Sequence, residues 1–192
     1  MMKRLAFATA ILALAAPLAM AQSTWKADPA HSSVEFGIRH MGLSTVRGHF
    51  GTVQATIVYN EADVTKSTVN ATIDVTGVDT GESPRDNHLK TDAFFDIAKF
   101  PSATFTSTSV AKSATGLAVT GNLTLHGVTK PVVLNVTGPV TPIESPMDHK
   151  QHSGFEASAT ISRSAFGIGG GFPAAMLGDD VNLTIELEVI KQ

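Results

Sequence analysis

The chain has 192 residues, 43% of them hydrophobic and 16% charged, with 17 acidic residues against 14 lysines and arginines and no cysteine. That length suits one domain with a real core, and a mildly negative chain without a basic cluster argues against nucleic acid as a partner and against strong attraction to anionic lipid surfaces. The lack of cysteine excludes disulfides, thiolate metal sites and a lipid-modified N-terminal cysteine.

The N-terminus reads as a targeting segment. Lys3 and Arg4 precede an apolar run from Leu5 to Leu18, which ends at the small-x-small site Ala19-Met20-Ala21. This pattern predicts a cleaved secretory signal peptide over 1–21, a single domain over 22–192 and delivery to the periplasm. The run is short for a membrane span of ~20 residues.

Downstream, apolar and polar residues alternate. Val181, Leu183, Ile185, Leu187 and Val189 interleave with Asn182, Thr184, Glu186 and Glu188, and the same beat marks Leu117 to Leu125. A period of two puts the apolar set on one face of a strand. Strands are predicted over 32–40, 45–50, 52–59, 67–76, 102–110, 117–125, 131–137, 154–162 and 181–190. Turn chemistry separates them, for example at Asn60-Glu61-Ala62-Asp63 and Gly138-Pro139. The apolar parity changes near Gly51, which predicts a bulge or sharp bend there.

One stretch, 83–95, breaks the beat and predicts a short helix capped by Ser83 with Pro84 at its first position. Leu89, Ala93 and Phe94 would share the face that docks on the barrel as a plug or lid. The glycines of 167–171 read as a flexible connection, and Asp179-Asp180 as a turn.

This order of elements predicts an all-β, antiparallel, up-and-down barrel with a short helix covering one end. A two-sheet sandwich is the alternative, and periodicity does not separate the two. Ala55, Ala71, Ala103, Ala157 and Ala159 fall at inward positions among larger apolar residues. Such a pattern is compatible with a packed interior or a hollow one.

No motif of catalysis or cofactor binding stands out. There is no Gly-x-Ser-x-Gly elbow, and the glycine stretch does not open a helix after a strand. His31, His40 and His49 are nine apart and His149 and His152 three apart, which is no compact metal-site spacing. The expectation is therefore neither an enzyme nor a metal or cofactor protein. An outer-membrane barrel would need aromatic girdles, and the chain has one tryptophan, Trp25, and one tyrosine, Tyr59.

Several stretches carry a family pattern. They are Asp28-Pro29-Ala30-His31-Ser32-Ser33-Val34-Glu35-Phe36, then 38–50 around Arg39-His40-Met41-Gly42, then Asp86-Asn87-His88-Leu89-Lys90 with Phe94-Phe95-Asp96. Gly121 to Pro131, Ile161 to Gly167 and Gly178-Asp179-Asp180-Val181 complete the series. In this order and spacing the chain resembles the YceI-like polyisoprenoid-binding family. The resemblance implies a lipocalin-like barrel with a long apolar tunnel, and a periplasmic protein holding a long-chain isoprenoid or similar amphiphile. Such a ligand would be an isoprenoid quinone, a polyprenyl lipid, or a fatty amide or acid, held for transport, storage or stress protection. Homodimerisation is implied by the resemblance alone. The expected lining is Phe36, Ile38, Phe50, Ile57, Leu89, Phe94, Phe105, Leu123, Phe155 and Phe166. Head-group contacts are expected from Arg39 and His88, each beside an apolar run, within a wider set of His31, His40, Arg47 and Arg163. A lipid-acting enzyme, or a stress or adhesion scaffold that binds no lipid, are the competing readings.

Overall fold

In the computed structural model, residues 22–192 are described; the signal-peptide reading of 1–21 lies outside the described residues. The period-two segments form β1 (Gln22–Ala27), β2 (Ser33–His40), β3 (Ser44–His49), β4 (Val53–Asn60), β5 (Thr68–Asp74), β6 (Ser102–Ser113), β7 (Gly116–Leu125), β8 (Val128–Thr137), β9 (Ile143–Glu144), β10 (Gln151–Ser162) and β11 (Leu177–Lys191), with α1 (Ser83–Leu89) between β5 and β6. The short strands β1 and β9 were not expected.

All pairings between these strands are antiparallel, and they close a ring: β4 to β8 follow one another in chain order, then come β10, β11 and β1, which returns to β4. This is a barrel of eight strands, and the sandwich is excluded. β11 does two jobs on one edge. Its far end pairs with β1 (Lys191 opposite Trp25), and its near end pairs with β2 (Ile185 opposite Val34), which carries β3. Where β1 closes the ring, Trp25, Ile57 and Val189 form a small separate core, and Val189 is wholly buried. The Trp25 indole N–H donates to Ser23 Oγ at 2.8 Å, so the closure carries no unsatisfied polar atom on that side chain.

Gly51 marks a corner between two strands rather than a bulge within one. β3 pairs with β2, whereas β4 pairs with β1 and β5, so the chain changes partners at this point. The Gly51 N–H donates to the Asp74 carbonyl at 2.8 Å. A Cβ at this position would stand 2.5 Å from Asp74 Oδ2. Close approach therefore requires glycine, and the bend accounts for the change of apolar parity.

The helix is shorter than its sequence pattern suggests. Glu82, not Ser83, caps it, its carboxylate accepting the Arg85 N–H at 2.8 Å. Thr91 helps to end it, because its hydroxyl donates to the His88 carbonyl at 2.7 Å, a local alternative to helical bonding. The Thr91 carbonyl then takes the N–H groups of Phe94 and Asp96. This turn leaves Ala93 exposed and turns both Phe94 and Phe95 inward, so Ala93 does not share the docked face.

Candidate functional site

The barrel is hollow. A cavity of about 570 Å³ runs through its interior, within the usual range of small-molecule sites. Its wall follows from strand alternation: Phe36, Ile38, Ile57, Phe105, Leu123 and Phe155 all point in, and Phe50 joins them from the corner between β3 and β4. Leu89 and Phe94 close it from α1 and the turn that follows. Ala71, Ala103 and Ala157 also line it, while Ala55 and Ala159 are buried away from it. Register makes the room, since Ala71 faces Phe105 and Ala103 faces Ile73 across neighbouring strands.

Phe166 is off the cavity. It is 2% exposed and sits in the surrounding core, at the end of a 3-10 turn, Ser164–Phe166. Outside a strand, alternation does not decide where a side chain points. Arg39 is also off the cavity. Val34, Phe36 and Ile38 face in, so Arg39 faces out, where its guanidinium donates to Thr45 Oγ1 at 3.1 Å and to the Gly42 carbonyl. The neighbouring His40, on the inward parity, lines the cavity instead.

The two ends differ in chemistry. Under α1 the wall includes His40, Ser44, Thr80, Arg85 and His88. At the other end lie Tyr59, Ser67 and Phe155, with the Tyr59 and Phe155 rings 6.4 Å apart. Leu177 faces His40 and Leu187 faces Phe155, both along β11, so roughly 30 Å of strand separates the ends at ~3.3 Å per residue. His88 stands edge-on to Phe94 at 5.0 Å and near Phe172 at 6.1 Å, forming an aromatic rim.

Two arginines touch the cavity. Arg163 is buried, and its donors are spent on carbonyls: Nε on Gly178, Nη1 on Ile168 and Gly169, Nη2 on Phe172 and Leu177, all at 2.7–3.0 Å. The glycine stretch is thus wrapped around a cation rather than being a loose connector. Gly169 has φ +63°, and a Cβ there would stand 2.9 Å from the Phe94 ring. Arg85 was not anticipated. Its Nε donates to Thr80 Oγ1 at 2.6 Å and its Nη2 to the Thr80 carbonyl at 3.0 Å. Its signal was present in the sequence: Arg85, His88 and Leu89 are at i, i+3 and i+4, one helix face.

A second cluster lies apart from the cavity wall. Asp28, His31 and Glu188 offer ligand atoms within 4.8 Å of one another, a grouping that histidine spacing did not reveal. They are the described residues near enough to share an ion, but their ligand atoms already take part in hydrogen bonds. His31 Nδ1 is 2.8 Å from Asp28, and His152 bridges Glu188 at 2.6 Å and Asp148 at 3.2 Å. Asp28 holds the His31 imidazole above its ordinary value, and Glu188, then Asp148, do the same for His152. Asp179, expected in a turn, lies in β11, where its carboxylate accepts from Ser162 Oγ and the Ser164 N–H.

No helix among the described residues is long and apolar enough to cross a membrane. The barrel turns its apolar face inward and carries Asn182, Thr184 and Glu186 exposed on its outer side, opposite to the arrangement that a lipid-embedded barrel needs.

Known proteins share this architecture. The family profile of the YceI-like domain matches residues 25–189. Protein YceI of Salmonella arizonae is 40% identical over 162 residues, which cover 84% of this chain and 83% of that protein. The Campylobacter jejuni YCEI protein structure aligns with a TM-score of 0.70 and 33% identity, covering 81% of this chain and 90% of the other. A polyisoprenoid binding domain from Saccharophagus degradans shares the fold at a TM-score of 0.64 and 16% identity, over 88% of this chain and 98% of its own.

Proposed function

This chain belongs to the YceI-like family, and we propose that it holds one long-chain amphiphile in its barrel, as a carrier or store in the periplasm after export. The observation that carries the reading is the continuous apolar cavity of about 570 Å³. Each methylene withdrawn from water there contributes ~0.8 kcal/mol, and ordering the chain takes part of it back. A long tail therefore binds firmly with few polar contacts. The polyisoprenoid binding domain that shares the fold supports an isoprenoid quinone or polyprenyl lipid as cargo; a fatty amide or acid would meet the same wall. The signal-like pattern of Lys3 to Ala21 supports the location. The family and the apolar wall favour binding over catalysis.

The test is to purify the chain from Gln22 without detergent and compare native with denaturing mass spectrometry. A hydrophobic species released on unfolding supports the reading. A ligand-free protein that also refuses added isoprenoid and fatty lipids overturns it.

A further inference from the structure

Apart from Tyr59, the ionisable side chains of the wall are all of basic residue types. Among the described residues, His40, Arg85, His88 and Arg163 line the cavity, and no aspartate or glutamate does. The two arginines are also unneutralised by direct contact. No arginine is in an ion pair among the described residues, and the partners of Arg85 and Arg163 are hydroxyl or carbonyl oxygens.

The two cations differ in what they have left to offer. Arg163 is spent on its five carbonyls. Arg85 is not: Nε and Nη2 both go to Thr80, and Nη1 has no hydrogen-bond partner among the described residues. Thr80 holds the guanidinium by two bonds and is itself tied down by Asp86, whose carboxylate takes the Thr80 N–H at 2.8 Å as well as its hydroxyl. Asp86 is the nearest carboxylate on that side in sequence, and it faces Thr80 rather than the cavity. One helical turn on, the His88 ring nitrogens also lack a protein partner among the described residues, while the ring edge packs on Phe94. A pre-positioned cation at the α1 end of an apolar tube, with a spare donor and no carboxylate on the cavity wall, is arranged for an acceptor rather than a donor.

We propose that the cavity selects amphiphiles with an anionic head, a carboxylate or a phosphate monoester, held beneath α1 by Arg85 and flanked by His88, with the tail running toward Tyr59 and Phe155. This rests on the carrier reading above and adds the head-group class and the polarity of the bound chain. A cationic head would meet like charge beneath α1. A neutral alcohol would accept one uncharged hydrogen bond there and gain no charge-assisted contact.

The experiment uses probes with one tail and different heads: hexadecanoate, hexadecyl phosphate, hexadecanol and hexadecylamine, titrated into delipidated protein by calorimetry. Both anions should bind about tenfold or more tightly than the alcohol, the gain of one good charge-assisted contact, and the amine more weakly than the alcohol. Arg85→Gln should bring the anions close to the level of the alcohol and weaken the anions far more than the alcohol, while Arg85→Lys restores part of the difference. The comparison of hexadecanoate with hexadecyl phosphate identifies which anion the α1 end fits. Equal affinity for all four heads overturns the head-group inference and leaves the carrier reading standing, as does an Arg85→Gln variant that weakens alcohol and anion alike. Failure of every probe to bind overturns both.

Discussion

Filling the tunnel separates a hollow barrel from a packed one, because affinity and stability then move in opposite directions. Ala157 faces the cavity from β10 beside Phe155. Ala157→Leu adds three carbons, which in an empty apolar space bury into existing surface and stabilise by up to about 2 kcal/mol. For a domain of this size that raises the melting temperature by roughly 4–8 °C. The same carbons take the room of about three methylenes of ligand, worth ~2.4 kcal/mol, so a tail long enough to fill the cavity should bind roughly fiftyfold more weakly. A shorter tail that stops short of Ala157 should be unaffected. The assay is a thermal scan of delipidated protein, since bound lipid would stabilise the wild type by mass action, paired with competition by tails of graded length. Destabilisation by about 1–3 kcal/mol, the cost of overpacking a filled core, would refute the reasoning. So would unchanged affinity for the longest tail.

Three further outcomes follow from the packing and the hydrogen bonds. Trp25→Ala should cost about 3–5 kcal/mol in denaturant unfolding, because Trp25 holds β1 against Ile57 and Val189 where the ring closes. Arg163→Met should lower stability by at least about 3 kcal/mol, read as a fall in melting temperature of roughly 10 °C, because the carbonyls of 168–178 lose their shared donor. It should also speed amide exchange in 167–177 ahead of the strands. The third concerns pH. Glu188 and Asp148 raise His152 above 6.5, so that pairing stabilises the fold fully below about 6.5 and is lost as pH climbs through the raised value. His152→Gln should therefore lower the melting temperature in mild acid and flatten its decline toward alkaline pH. Asp28, lowered first by its hydrogen bond with His31, and Asp148, lowered first by the Lys150 N–H, act with the opposite sign. Their contribution is present above 3.8 and is lost as pH falls through their lowered values, so wild-type stability should peak between the two limits in a melting profile across pH.

What was legible in the sequence follows the reach of each signal. Alternation is local and strong, so β2 to β8, β10 and β11 were readable, as was the wall that they present inward. β1 was harder because Ser23 and Trp25 are its two buried residues and it begins directly after the expected cleavage site; its partners at Val189 and Ile57 are distant in sequence. β9 has two residues, both exposed, and leaves no pattern at all. Which polar residues reach the α1 end of the cavity depends on parity and helical phase, which composition beside an apolar run does not encode. Parity alone separates His40 from Arg39, and the i, i+3, i+4 face alone brings Arg85 beside His88 and Leu89. The cluster of Asp28, His31, His152 and Glu188 comes from three separate segments and was visible only after the barrel closed. Hollowness itself has a physical origin that spacing only hinted at. An eight-stranded ring encloses a width that large side chains fill, and here alanines at 71, 103 and 157 withhold that volume on inward positions where phenylalanine, isoleucine or leucine would otherwise meet. The tunnel is therefore a property of a few small residues on an otherwise ordinary apolar face, which is why single substitutions at those positions, rather than at the aromatic wall, test it most directly.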